Sequence, residues 1–477
     1  MSSDPESTKP SRSRVLGGYV VILAMAVGLF LVVRHAGDGL VAAFPNTGHS
    51  AAPDHKVDAL PHVLLALVVI LVVSRALGWC FRKIRQPPVI GEVIAGICLG
   101  PSVLGLIAPG ATQLVLPDAI APSLGVIAQI GVVLFMFLVG LELDTSVLSK
   151  QSHATLFVSH ASIIVPFLLG SASALWIYPR LGSSDVPFVV FALFMGVSMS
   201  VTAFPVLARI LTDRGIQRTS LGVMALSCAA IDDVTAWCML AFVVSVATGG
   251  GAHGGVLAGI LPTLVLTLAY GLAVVFLVRP FVVREARKLD LVSTIGKTAT
   301  TQMFVALLVS ALITEWIGVH ALFGAFLLGA VVPHDSRLAK DLTAKLEDVV
   351  TILFLPAFFA YTGMRTQIGL VSGVEAWMLC GGLVVIACLG KIGGSAFAAR
   401  AVGLDWRSAL QIGLLMNTRG LMALIVLNVG LDLGVLSPKL FAMLVVMALV
   451  TTFATAPGLD LLGTPEGERE RRGVRAG

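Results

Sequence analysis

Charge is scarce in this sequence. Only 12% of its 477 residues are Asp, Glu, Lys or Arg, against 57% hydrophobic residues and a mean hydropathy of +0.96. A soluble domain carries roughly 25% charged residues, so the shortage excludes an ordinary water-soluble enzyme. The apolar excess equally excludes a disordered chain. Long polar stretches are missing too. The longest are the first 14 residues and Thr464–Gly477, neither of them a soluble domain. The six cysteines form no CxxC pair and no Cys/His cluster with metal-ligand spacing, and they read as small packing residues. The nine histidines are scattered, and neither HExxH nor GxSxG occurs. Gly249–Gly254 satisfies GxGxxG, and Gly296-Lys297-Thr298 imitates a phosphate loop, but each lies between apolar runs with no strand before it. No nucleotide, cofactor or nucleic-acid site is expected.

What the chain has is apolar runs. Stretches of spanning length begin near Val15, Ala59, Val89, Ser123, Ala154, Val186, Thr219, Gly255, Thr298, Val319, Asp348, Trp377, Ser408 and Phe441. At about 20 apolar residues per crossing, these predict an all-α polytopic membrane protein with 13–14 transmembrane helices. With the N-terminus inside and fourteen crossings, 24 of the 32 Lys and Arg fall in inner loops or tails. Five fall outside, and Arg75, Lys391 and Arg419 lie within spans. That asymmetry predicts a multi-pass protein of the cell membrane with its C-terminus in the cytoplasm. Residues 1–57 are read as a tail, an extra hydrophobic segment (a span or a signal peptide) and an external linker. Residues 58–462 are read as the transmembrane domain, and 463–477 as a cytoplasmic tail.

A charged side chain in hydrocarbon costs about 2.5–3.5 kcal/mol even on lenient scales, so ionisable residues inside spans are informative. Asp232 and Asp233 sit mid-run, between Ala-Ala-Ile and Val-Thr-Ala-Trp. Adjacent helical residues point about 100° apart, so one carboxylate can face a water-filled cavity while the other faces a partner helix. Two carboxylates side by side in low dielectric cannot both ionise readily, and one can exchange a proton for a hard monovalent cation. Lys391, deep in its own span, needs a carboxylate beside it, and Asp232 or Asp233 is the natural partner. Ser198, Ser200, Thr202 and Pro205 predict a broken helix, as do Asn417, Thr418 and Arg419 in the second half of the chain. Interrupted helices at corresponding positions of two halves point to a transporter site. Glu92, about seven residues past Arg85, reads as a support near the inner interface or as an ion-pathway acid.

Four segments carry a family resemblance. Gln86–Ser102, Gly131–Asp144, Leu355–Met364 and Asn417–Gly430 resemble, in order, signatures of the monovalent cation:proton antiporter-2 family, which includes Kef-type proteins and plant cation/proton exchangers. The resemblance spans about Asp58 to Leu462. It implies a NhaA-like inverted-repeat fold with a dimerisation domain and two crossing unwound helices around Thr202 and Thr418, working as a homodimer in membrane lipid. It further implies that Asp233 is the cation and proton carboxylate and that Asp232 partners Lys391, as in NapA-type antiporters. Many relatives have Glu where this chain has Ala423. The function expected is secondary antiport of Na⁺ or K⁺ against H⁺ by alternating access, serving pH homeostasis and potassium transport. Two alternatives remain open here. An organic-anion cotransporter would have a roomier, less acidic core, and a gated channel or sensor would carry an extramembrane ligand domain.

Overall fold

The computed structural model describes residues 59–84, 86–142, 153–183, 186–217, 219–249, 256–290 and 296–463. The expected N-terminal segment 1–57 and the tail beyond Gly463 lie outside the described residues. Every regular element among the described residues is helical. The first half runs through α1 (Ala59–Lys83), α2 (Pro88–Leu99), α3 (Ala121–Glu142), α4 (His153–Leu181), the pair α5 (Phe188–Ser200) and α6 (Phe204–Asp213), and α7 (Ser220–Gly249). Helix α8 (Val256–Ala273) continues through a π-helical turn, Val274–Val278, into Arg279–Leu289. The second half runs through α9 (Lys297–Ile317), α10 (Ala321–Val331), α11 (Arg337–Val349), α12 (Leu355–Arg365), α13 (Gly373–Cys388), α14 (Gly394–Ala401), the pair α15 (Trp406–Met416) and α16 (Leu421–Asp432), and α17 (Pro438–Leu462).

Among the described residues ten helical stretches are long and apolar enough to cross a bilayer, or eleven if α15 and α16, bent by 45°, form one span. The 13–14 expected from hydropathy exceeds this for physical reasons. Helix α10 has only 11 residues, about 16 Å of helix, and α12 is also 11 residues long, extended by the turn Val350–Phe354. Both fall below a full hydrocarbon thickness although both are apolar. The fourteenth expected segment, at Val15, is outside the described residues.

With these two counted as crossings, α8 stands alone between six that precede it and six that follow. Each crossing of the second set then lies seven after its counterpart in the first. An odd number reverses direction, so the second set is inverted relative to the first. In both sets the fifth member is the broken one, α5–α6 and α15–α16. The helices pack in two bundles, one of α1, α2, α3, α9, α10 and α12, the other of α4 to α7 with α13 to α17. Lipid-facing positions stay apolar, as Leu268 (64% exposed), Phe276 and Leu277 beside α8 illustrate. Backbone polarity is satisfied within each helix, so such a surface suits hydrocarbon.

Candidate functional site

The break between α5 and α6 follows from Pro205. Its ring has no N–H to offer and would clash with the carbonyl four residues back, that of Val201. Val201–Ala203 accordingly leave the helix, with extended dihedrals at Val201 and Ala203, and α6 restarts with the proline in its first turn. The second break, Asn417–Gly420, lies between α15 and α16. Gly420 is required by close approach, because a Cβ there would lie 2.6 Å from Val206 Cγ2. The two breaks touch: Ala203 N–H donates to the Thr418 carbonyl (3.0 Å), and Thr202 Oγ1 lies 3.3 Å from that of Met416. Helix ends thus meet in the interior, where their partial charges act across low dielectric.

Arg419 answers one of those ends. Its guanidinium donates from Nη1 to the Ser198 carbonyl and from Nη2 to the Met199 carbonyl, both at 2.7 Å. These are terminal carbonyls of α5, so a buried cation (1% exposed) sits at the negative end of a helix dipole. Its backbone is held by Thr452, whose Oγ1 accepts from Arg419 N (2.9 Å) and donates to Arg419 O (2.6 Å).

Helix α7 brings Asp232 and Asp233 to the crossing, both buried. Asp232 is surrounded by donors. Ser159 Oγ reaches its Oδ1 at 2.6 Å, while Ser162 Oγ (2.6 Å), Thr202 Oγ1 (2.8 Å) and Lys391 Nζ (3.2 Å) reach Oδ2. Lys391, fully buried, also donates to the Ser162 carbonyl at 2.9 Å. It projects from a π-helical turn, Leu389–Gly393, that joins α13 to α14. Such turns widen the helix locally and recur where a side chain must be aimed. Gly390 in that turn allows contact with α4, since a Cβ would lie 2.8 Å from Pro166 Cα.

Asp233 is placed differently. The backbone N–H of Phe204, at the start of α6, donates to its carboxylate, yet Oδ1 has no partner among the described residues. The Ser198 hydroxyl and Asn417 Oδ1 are likewise buried and unpartnered. One turn beyond Asp233, the Trp237 ring stacks on Phe326 of α10 in the other bundle, centroids 6.2 Å apart.

The hydroxyls expected around the aspartates divide. Only Thr202 reaches one. Ser198 remains inside α5, where its carbonyl serves Arg419, and Ser200 Oγ turns to the carbonyls of Gly196 (2.8 Å) and Ile163 (3.1 Å). Thr418 Oγ1 donates to Leu415 O, and Asn417 Nδ2 points at Cys388 Sγ. Glu92, in α2, has Arg75 and Arg82 of α1 as its charged neighbours, which sets it apart from the aspartate pair. Ser159 and Ser162 were not anticipated. Their spacing of three residues on apolar α4, which puts both hydroxyls on one face, was the signal available.

Known proteins resemble the chain in sequence and in fold. The family described as sodium/hydrogen exchanger, transmembrane, matches residues 63–460. The chain is 41% identical over 396 residues to the Na(+)/H(+) antiporter NhaS4 of Synechocystis sp., covering 83% of this chain and 95% of that protein. It is 37% identical to Cation/H(+) antiporter 18 of Arabidopsis thaliana, over 88% of this chain and 52% of the relative. With K(+)/H(+) antiporter 1 of Saccharomyces cerevisiae the figures are 35%, 86% and 47%. The chain therefore spans about half the length of these plant and yeast relatives. The solved structure of the sodium proton antiporter MjNhaP1 from Methanocaldococcus jannaschii superposes with a TM-score of 0.61 at 12% identity, over 84% of this chain and 100% of that one, so the fold is shared. By the match across most of its length, this multi-pass membrane chain belongs to the sodium/hydrogen exchanger family.

Proposed function

We propose that the chain is a secondary antiporter exchanging a monovalent cation, Na⁺ or K⁺, for H⁺ across the cell membrane by alternating access. The observation that carries this reading is Asp233, a buried carboxylate with an unpartnered oxygen where two broken helices meet. A carboxylate oxygen can hold either a proton or a hard cation, and oxygen ligands suit both. Protonated, Asp233 is neutral. Deprotonated, it needs a cation to offset its burial, and unpartnered oxygens such as those of Ser198 and Asn417 are candidates to complete the shell. Because both ligands use one group, uptake of either requires loss of the other. The bundle carrying the breaks then moves against the other to present Asp233 to the opposite side. Asp232 and Lys391 act as a fixed pair beside it, and Arg419 and Pro205 support the crossing. The names of the relatives are consistent with this reading, and the excess of inner Lys and Arg supports a cytoplasmic C-terminus. A homodimer in lipid, with a role in pH homeostasis, completes the proposal.

The test uses proteoliposomes with an internal pH dye, given Na⁺, K⁺, Li⁺ and choline in turn. Alkali cations should move the internal pH and choline should not, and Asp233→Asn should reduce the response to that of protein-free vesicles. Full activity of the variant would overturn the assignment.

A further inference from the structure

Where the two bundles meet, far from the aspartates along the chain, stands a titratable group that the antiport cycle leaves unused. Helices α9 and α10 are joined by only three residues, Gly318, Val319 and His320. His320 takes φ +82° and ψ 137°, and among the described residues no other non-glycine has a positive φ. Glycine is the ordinary choice for such a backbone, so a side chain kept there at a conformational cost points to a use for it. The turn is held on both sides: Val319 N donates to the Thr314 carbonyl (3.0 Å), and Ala321 N donates to Glu315 Oε2 (2.7 Å). Nδ1 of the His320 ring is buried and has no hydrogen-bond partner among the described residues. Two carboxylates bear on the ring, Glu315 of α9 and Asp432 of α16. Asp432 is already paired, at 2.6 Å, with Arg365 of α12, and α10 itself carries no titratable residue. Burial outweighs the pull of the two carboxylates and holds the ring below the ordinary histidine range, so at neutral pH it is uncharged. His320 thus belongs to one bundle, while Asp432 ends the second broken helix in the other. By the asymmetry of Lys and Arg, this is the outer end.

We infer that His320 is a second proton-binding site, one that carries nothing across but works as a latch: the neutral ring stays buried and the outer ends of the bundles stay together, whereas a proton taken from outside draws the ring into water and lets those ends part. The inference rests on the antiport reading, in which the bundles move, and adds a group that biases the motion. Its sign follows from linkage. A ring whose buried form resists the proton binds it better once exposed, so acid favours the parted form. The effect begins as pH falls through the exposed histidine value of about 6.5 and ends at the buried ring's own lower value. Between the two, the ratio of parted to joined forms rises by up to about tenfold per pH unit. Above that window the ring is neutral in both forms and exerts no bias.

The experiment is a distance measurement on the full chain in lipid nanodiscs. On a cysteine-free background, spin labels are attached through Trp316→Cys and Leu433→Cys, exposed positions at the outer ends of α9 and α16. The distance between them is followed from about pH 8 to about pH 5, a range that brackets the exposed histidine value. With His320 present, a longer distance should gain population below about pH 6.5, the ratio of long to short rising severalfold or more. His320→Gln, which cannot take the charge, should keep its pH 8 distribution throughout. His320→Gly should do the same, and because glycine adopts the positive φ freely it guards against a variant that merely misfolds. Variants that part on acidification as the His320 protein does would overturn the inference, since the proton would then act on another group. One unchanging distance at every pH in the His320 protein would overturn it as well. Failure of the antiport reading shows elsewhere, as the absence of any cation-driven pH change in the dye-loaded vesicles, so the two can fail separately.

Discussion

Two neighbouring aspartates in one helix have opposite surroundings. Asp232 and Lys391 form an ion pair with no exposure to solvent, and three hydroxyls complete the carboxylate's shell. A buried pair of this kind is weak evidence for stability as a whole, but removing one partner strands the other charge. Asp232→Asn should therefore destabilise the protein by about 3–5 kcal/mol, read as a fall in melting temperature in detergent. Asp233→Asn, which removes no ion pair, should melt close to wild type while abolishing transport. The partnership of Lys391 with an aspartate was legible because an ammonium at membrane depth demands a counter-charge. The serines of α4 were not, since hydroxyls in apolar helices are ordinarily packing groups whose neighbours depend on which helix lies alongside. The partners of Arg419 were hidden for the same reason, because two carbonyls on another helix leave no mark in the sequence.

At the level of helices, the breaks and the π-helical turn do the positioning. The first break could be read from Pro205, whose effect falls four residues upstream at Val201. The second contains no proline, and it was Asn417, Thr418 and Arg419 inside an apolar span, matching the first break in the other half of the chain, that pointed to it. The turn Leu389–Gly393, by contrast, has no period that hydropathy could reveal. Its consequence is testable at Gly390. A methyl group there would meet the backbone of Pro166, so Gly390→Ala must push the turn away from α4 and draw Lys391 off the Ser162 carbonyl. Overpacking of this kind costs about 1–3 kcal/mol. The expected result is a lower melting temperature and slower transport, whereas Gly393→Ala, with open space around its Cβ position, should be nearly neutral in the same assays.

For the whole molecule, the question is what joins the two bundles. Asn428 of α16 donates to Thr362 Oγ1 of α12 (2.8 Å), and its Oδ1 accepts from Arg365, which also pairs with Asp432 at 2.6 Å. These contacts tie the second broken helix to the opposite bundle, as the Trp237–Phe326 stack ties α7 to α10. Asn428→Leu leaves the Thr362 hydroxyl unpaired and should lower stability by about 1–3 kcal/mol. Thr362→Val in the same background should add little, and such non-additivity in a double-mutant cycle identifies a direct bond across the bundles.

If one carboxylate serves proton and cation in turn, the pH dependence of the apparent KM for the cation must show it. Transport is measured in vesicles held at equal pH on both sides, with cation concentration varied at each pH. Competition for Asp233 makes the apparent KM rise as pH falls, approaching about tenfold per pH unit once the group is mainly protonated, while a saturating cation restores the rate. An apparent KM unchanged across pH, with only the maximal rate falling, would mean that the proton acts at a different site, and the single-carboxylate account would fail.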